Sequence, residues 1–137
     1  MMRPNYWSML FHSLHFLKEK LNTHFKNSVR WDEGKVILSS LSDTGKPDPA
    51  TSDCVKLTLI NICQESSLKN HNMRSRSGSD FERKAPKQSY NVDIMFSAHS
   101  GNYEESLKLL SETINYFQSN HYFDHSIAPD LPTGFER

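Results

Sequence analysis

The spacing of the large apolar residues changes along this chain from a helical repeat to a strand repeat and back again. Near the N-terminus they recur at steps of four and three, which places them on one stripe of a helix predicted over residues 8–26. Ser8 stands where an N-cap hydroxyl could accept a hydrogen bond from the first turn. The stripe, which is predicted to be buried, consists of Leu10, Leu14, Leu17, Leu21 and Phe25.

Three further segments have the apolar runs or the alternation typical of β-strands. The predicted strands are residues 35–40, 54–63 and 89–98. Alternation is clearest in the last of them, where Val92, Ile94 and Phe96 are predicted to face the core. Residues 41–53 are rich in Gly, Pro, Asp and Ser, so a loop is predicted between the first two strands.

A second amphipathic helix is predicted over residues 102–120. Asn102 can cap its N-terminus, and Glu105 stands where a capping-box carboxylate reaches back to the cap. Its predicted buried stripe consists of Leu107, Leu110, Ile114 and Phe117. Residues 124–137 contain prolines and a glycine and are predicted to be an irregular tail. The element order predicts a two-layer α/β sandwich, with both helices on one face of a small sheet.

The bulk composition favours a single domain of residues 1–137 in a reducing compartment. The 137 residues suit one domain, and 16 basic residues balance 16 acidic ones. Cys54 and Cys63 fall in one predicted strand, about 30 Å apart at about 3.3 Å per residue, so a disulfide between them is not expected. No apolar stretch approaches the length of a spanning helix or a signal peptide, so a cytoplasmic protein is predicted.

Residues 66–88 form the one strongly charged segment. It contains six basic residues against two acidic ones, a net charge of +4 that leaves the rest of the chain at −4. A loop of this length is usually functional or disordered. A solvated loop and a docking element for an acidic partner are both consistent with it. The candidate partner-binding residues are Lys69, Arg74, Arg76, Arg83, Lys84 and Lys87.

The search for catalytic chemistry yields no enzyme motif. His12, His15 and Glu19 share one helix face and could in principle hold a metal, but that face is predicted to point at solvent, without groups to orient the ligands. Glu104 and Glu105 point about 100° apart and fit helix capping better than acid–base catalysis. Nucleophile-elbow, zinc-protease and P-loop motifs are missing from the sequence. We therefore predict no catalysis, no cofactor and no metal.

Three segments of the sequence form a recognisable combination. They are residues 55–62 with Glu65 and 68–70, residues 91–98 with 102–108, and residues 117–120 with Phe123 and 131–134. Taken together they resemble the N-terminal domain of the tail-terminator, or cap, proteins of extracellular contractile injection systems, which include the antifeeding prophage and the Photorhabdus virulence cassette. Their order and spacing agree with the family over most of the chain.

The resemblance implies an α/β domain similar to phage tail terminators, and a structural role. That role is a homo-oligomeric ring, expected to be a hexamer, which binds sheath and tube proteins and stops their polymerisation in a phage tail-like particle. No membrane and no small-molecule substrate are implied. Family members continue beyond the equivalent of Arg137, so the expectation is a chain either truncated here or completed by a neighbouring subunit. The alternative is a small adaptor whose basic loop captures an acidic protein or a nucleic acid.

Overall fold

The part of the chain that the structure describes folds into two helices and a three-stranded sheet. The computed structural model describes residues 6–28, 34–40, 53–66, 89–124 and 126–129. The elements in chain order are α1 (Tyr6–Ser28), β1 (Val36–Leu38), β2 (Cys54–Gln64), β3 (Tyr90–His99) and α2 (Tyr103–Ser119). They confirm the predicted α/β class, and their ends lie within two residues of the predicted ones. Neither described helix combines the length and the apolar composition that crossing a bilayer requires.

The contacts within the chain divide it into two compact units. One combines Met1–Thr58 with Met95–Arg137, and the other is Leu59–Ile94. Within its described residues, the first unit contains both helices, β1 and the adjoining parts of β2 and β3. The second unit contains the remaining parts of β2 and β3, on either side of the predicted basic loop.

Strand β1 pairs with β2 in parallel. Val36 lies beside Val55, and Leu38 lies beside Leu57. The Val55 N–H donates to the carbonyl of Lys35 over 2.7 Å. In a parallel ladder the backbone groups of alternate residues point to opposite sides, so those of Val36 point away from β2. The sheet order is β1-β2-β3, which leaves Val36 on an edge strand.

The side chain of Asn22 on α1 occupies this edge of β1. Its Oδ1 accepts from the Val36 N–H over 2.9 Å, and its Nδ2 donates to the Val36 carbonyl over 3.1 Å. The carboxamide therefore replaces the peptide group of a neighbouring strand and satisfies both backbone groups. Because an open edge is a site of unwanted strand pairing, this contact also closes the β1 edge at Val36.

Strands β2 and β3 run antiparallel. The Glu65 N–H donates to the carbonyl of Ser89 over 2.9 Å, and the Asn61 Nδ2 donates to the Asp93 carboxylate over 3.2 Å. Residue numbers therefore rise along β2 as they fall along β3. The two strands form a hairpin that the segment around residues 67–88 connects, outside the described residues.

The deepest part of the core lies in the first unit, where α1 packs on β1. The largest fully buried side chains are Phe25, Leu21, Val36, Val55 and Cys54. A second apolar cluster joins Phe16 of α1 to Ala128, with Leu17 and Phe123 packed against it. Burial of large side chains is the main favourable term in folding, so these residues carry much of the stability of this unit.

The residues predicted to form the core differ widely in burial. Leu21 is fully buried. Leu107 and Ile114 are 45% and 50% exposed, so their assignment to the core is wrong. The remaining predicted core residues are partly buried: Leu10, Leu14, Leu17, Val92, Ile94, Phe96, Leu110 and Phe117.

Helix α2 buries a different stripe from the predicted one. Leu109, Thr113 and Tyr116 are its buried residues, and they also follow steps of four and three. The Thr113 hydroxyl donates to the Leu109 carbonyl over 2.9 Å, which satisfies its polar atom inside the helix. The Tyr116 ring packs against His24 of α1 with a centroid separation of 5.0 Å. Contact with α1 therefore selects which of the two stripes is buried.

The helix ends agree with prediction at α2 and depart from it at α1. The Asn102 side chain caps α2 by accepting from the Glu104 N–H over 3.0 Å. The Glu105 carboxylate accepts from Lys108 over 2.7 Å, in place of the predicted capping-box contact. Helix α1 begins at Tyr6, so Ser8 lies inside the helix and its prediction as the N-cap is wrong.

Candidate interaction surfaces

The six basic residues predicted to bind a partner all belong to a segment outside the described residues. Lys69, Arg74, Arg76, Arg83, Lys84 and Lys87 lie between positions 67 and 88. The structure describes the base from which the segment departs. There Glu65 pairs through its backbone with Ser89, and its carboxylate accepts from the Asn91 amide over 2.8 Å. The predicted docking role of the segment stays a prediction.

The hairpin of the second unit has one polar and one apolar face. Asn61 and Asp93 are hydrogen-bonded across the strands on one face. Side chains alternate along a strand, so Ile60 and Ile62 point to the other face, and both are exposed. A two-stranded hairpin with an exposed apolar face is marginally stable in water, which makes this face a candidate contact surface.

A second exposed apolar surface lies on α2. Tyr103, Leu107 and Ile114 are 75%, 45% and 50% exposed, and steps of four and seven place them on one side of the helix. We call these three residues the α2 stripe. The partly buried Leu110 and Phe117 continue it toward the interior, where the Phe117 ring meets that of Phe96 at 4.9 Å. Solvent-exposed apolar groups rimmed by polar residues mark sites of protein contact.

Sequence periodicity found the α2 stripe but assigned it to the wrong environment. A repeat of four and three identifies residues that share a helix face, whether that face is buried in the chain or in an assembly. Helix α2 carries two such repeats, and the buried one includes Thr113 and Tyr116, whose side chains carry polar atoms. The sequence analysis did not identify this second repeat as a core candidate.

The first half of α1 presents an exposed aromatic patch. The Phe11 side chain is 57% exposed. Its ring lies 5.6 Å from that of His12 and 5.8 Å from that of His15, measured between centroids. We call Phe11, His12 and His15 the α1 patch. His15 also lies 3.9 Å from the Glu19 carboxylate at the helix surface. Phe11 follows Leu10 of the predicted buried stripe and points about 100° away from it around the helix. The sequence pattern therefore left Phe11 out of the predicted core, and it gave no sign that Phe11 contacts a partner.

The histidines and acids do not converge in the part of the chain that the structure describes. No three His, Cys, Asp or Glu side chains among these residues are grouped so as to hold a metal ion. His12, His15 and Glu19 remain the helical surface group that the sequence predicted, with His15 and Glu19 about half exposed.

His24, Ser28 and Glu112 superficially resemble a catalytic triad. The Nε2 atom of His24 lies 3.4 Å from the Glu112 carboxylate and 3.3 Å from the Ser28 hydroxyl. In a triad the acid and the nucleophile contact different ring nitrogens, whereas here both contact the same one. The Ser28 hydroxyl also donates to the His24 carbonyl over 2.7 Å. This group therefore links α1 to α2 and lacks the geometry of a proton relay.

The two cysteines differ in accessibility although they share strand β2. Cys54 is buried and Cys63 is exposed. Burial raises the pKa of the Cys54 thiol, which lowers the fraction of reactive thiolate. We expect iodoacetamide to label Cys63 in the native protein and to label Cys54 only after unfolding, as measured by mass spectrometry with and without denaturant. Equal labelling rates in the native protein would contradict the packing of β2 described above.

Together these features define a small α/β domain whose described surface carries exposed apolar and charged faces suited to protein contact. The model of the Pvc16 N-terminal domain family matches residues 14–136. Because that match covers most of the sequence, the chain belongs to the Pvc16 N-terminal domain family. Membership associates it with the phage tail-like particles of Pvc-type contractile injection systems. No individual curated protein matches the chain.

Proposed function

We propose that this chain forms a ring, with six subunits, that caps the tube and sheath of a Pvc-type contractile particle and stops their polymerisation. Family membership supports the association with such particles. The observation that carries the assembly role is the α2 stripe, which exposes three large apolar side chains on one helix face. Subunits of an oligomer bury surfaces of this kind against one another, and a ring requires one on every subunit.

The proposed role is structural, without catalysis or a cofactor. Its partners are other copies of the chain and the sheath and tube proteins, in a particle that assembles in the cytoplasm. The His24 group supports this assignment because its geometry joins two helices and does not relay a proton. Neither a membrane nor a small-molecule substrate takes part in the proposed function.

A binding module is the second candidate, and the basic segment is the observation that favours it. Six basic residues against two acidic ones between positions 66 and 88 could capture an acidic protein or a nucleic acid. The hairpin of β2 and β3 would present that segment at its end. The two functions differ in a measurable way, because a cap controls particle length and a binding module does not.

The cap function predicts the effect of removing the chain from cells that make the particles. Without a terminator, polymerisation continues until subunits are exhausted, so we expect sheaths and tubes that are longer on average and broadly distributed in length. Electron microscopy of purified particles measures this distribution. Expression of the intact gene in the deletion strain is the control and should restore a narrow distribution. An unaltered length distribution in the deletion strain would exclude the cap function and favour the binding module.

A further inference from the structure

The α2 stripe has the spacing of a surface that packs against another helix. Tyr103, Leu107 and Ile114 lie on one side of α2, and the partly buried Leu110 lies between Leu107 and Ile114 in sequence, at the interior edge of the same side. Side chains at this spacing of four, three and four residues interdigitate with the side chains of a facing helix. The helix of the same chain is already in contact with the other stripe of α2, through Tyr116 and His24. Of the helices that the structure describes, α1 therefore does not cover the α2 stripe, which leaves this stripe open to a helix of another copy.

The charges of the two helices indicate which helix that is. Helix α2 contains three glutamates and one lysine, and two of the glutamates are in its first turn beside Tyr103. Helix α1 contains three lysines and one glutamate, together with three histidines. The net charges are −2 for α2 and +2 for α1 with neutral histidines. The α2 stripe thus lies on an acidic helix and the α1 patch on a basic one, so the two helices are complementary in charge and both expose apolar groups.

The packing of the helices places Phe11 of the α1 patch and Tyr103 of the α2 stripe toward opposite ends of the helix pair. His24 of α1 meets Glu112 of α2, whereas Phe16 meets Phe123 beyond the end of α2. Residue numbers fall along α1 as they rise along α2, so the helices are antiparallel. Phe11 therefore lies beyond the C-terminal end of α2, and Tyr103 lies toward the C-terminal end of α1. At 1.5 Å per residue, Phe11 lies about 20 Å from the level at which His24 meets Glu112, and Tyr103 lies about 14 Å from that level in the other direction, so Phe11 and Tyr103 cannot meet within one chain.

We propose that the α2 stripe of one copy of this chain docks on the α1 patch of the next copy. Two different and complementary surfaces on each subunit produce a head-to-tail contact, which closes into a ring when the rotation between subunits allows. The rings of Phe11, His12 and His15 supply an exposed aromatic surface, and the glutamates of the first turn of α2 approach the basic helix α1. This proposal rests on the ring proposed above, and it names the two surfaces through which neighbouring subunits of that ring would touch.

Disulfide trapping between differently labelled copies tests this contact. In a Cys63→Ser background, which removes the exposed native thiol, one set of proteins carries Tyr103→Cys, Leu107→Cys or Ile114→Cys, and a second set carries Phe11→Cys. Each protein of the first set is mixed with the Phe11→Cys protein and oxidised at concentrations where light scattering shows assembly. The same pairs are also oxidised in purified particles that contain both proteins. A disulfide requires Cα atoms within about 7 Å, so only residues in contact are trapped. We expect a mixed disulfide from at least one of the three mixtures.

The matched control is Asn115→Cys, an exposed α2 residue about 100° around the helix from Ile114, which should give no mixed product with Phe11→Cys. Circular dichroism of each variant establishes that it is folded. Dimers formed by Leu107→Cys alone would overturn the proposal, because they would show that α2 meets α2. Absence of every mixed disulfide would overturn it too. A ring that forms without these disulfides leaves the cap function intact and rejects only the surfaces proposed for it.

Discussion

Phe25→Ala is expected to lower the free energy of unfolding by about 3–5 kcal/mol, the usual loss when a buried aromatic side chain is truncated. Phe25 is 0% exposed and is among the largest fully buried side chains of the chain, in the core formed by α1 and β1. The loss combines the transfer free energy of the ring with the cavity left behind. Urea denaturation of the wild-type and variant proteins, followed by circular dichroism, measures the difference.

Leu107→Ala is the matched control for this measurement. Leu107 is 45% exposed, so its truncation in the isolated chain should cost less than about 1 kcal/mol. The ordering of the two losses distinguishes the buried core from the α2 stripe. A loss for Leu107→Ala as large as that for Phe25→Ala would mean that the stripe is core, as the sequence pattern had suggested.

Reversing the charge of the basic segment is expected to weaken assembly strongly without unfolding the protein. The variant replaces Arg74, Arg76, Arg83 and Lys84 with glutamate, which changes the charge of the segment from +4 to −4. If the segment contacts an acidic surface of a neighbouring subunit or of the sheath, four attractive contacts become repulsive. Exposed ion pairs are individually worth about 0–1 kcal/mol, so the effect is cumulative and depends on salt. In cells we expect particles of uncontrolled length.

Two measurements together test this variant. Light scattering at low and at high salt reports assembly, and urea denaturation should show a free energy of unfolding within about 0.5 kcal/mol of the wild type, as for most surface substitutions. A variant with four serine-to-threonine changes in the same segment, which contains several serines, preserves its charge and serves as the control. Normal assembly and normal particle length in the charge-reversed protein would exclude the segment from the mechanism.

Local sequence signals predicted the elements of this fold well. The alternation of Val92, Ile94 and Phe96 predicted β3, and the structure places the strand at Tyr90–His99. Asn102 was predicted to cap α2 and does so by accepting from the Glu104 N–H. Each of these features depends on residues close together in the chain, because alternation follows from strand geometry and capping involves the first turn of a helix. Their physical cause is contained in the local sequence.

Other features were not decided by the local sequence pattern. Ser8 has the chemistry of an N-cap, but the chain continues the helix back to Tyr6. Glu105 has the position of a capping-box residue, but its carboxylate accepts from Lys108. The double hydrogen bond from Asn22 to the edge of β1 joins residues 14 positions apart, and no local pattern of the sequence indicated it. In each case several local partners were chemically suitable, and the folded chain selected one.

The sequence by itself determined the order of helices and strands, the concentration of positive charge between residues 66 and 88, and the resemblance that family membership confirms. Only the tertiary structure decided which stripe of α2 is buried. Leu109, Thr113 and Tyr116 follow steps of four and three, and Leu107, Leu110 and Ile114 follow steps of three and four. Both are helical repeats, so periodicity could not distinguish them. The choice arises because Tyr116 packs on His24 of α1 and the Thr113 hydroxyl is satisfied inside the helix. Whether a residue is buried depends on what packs against it, whereas a helical repeat shows only which residues share one face of the helix.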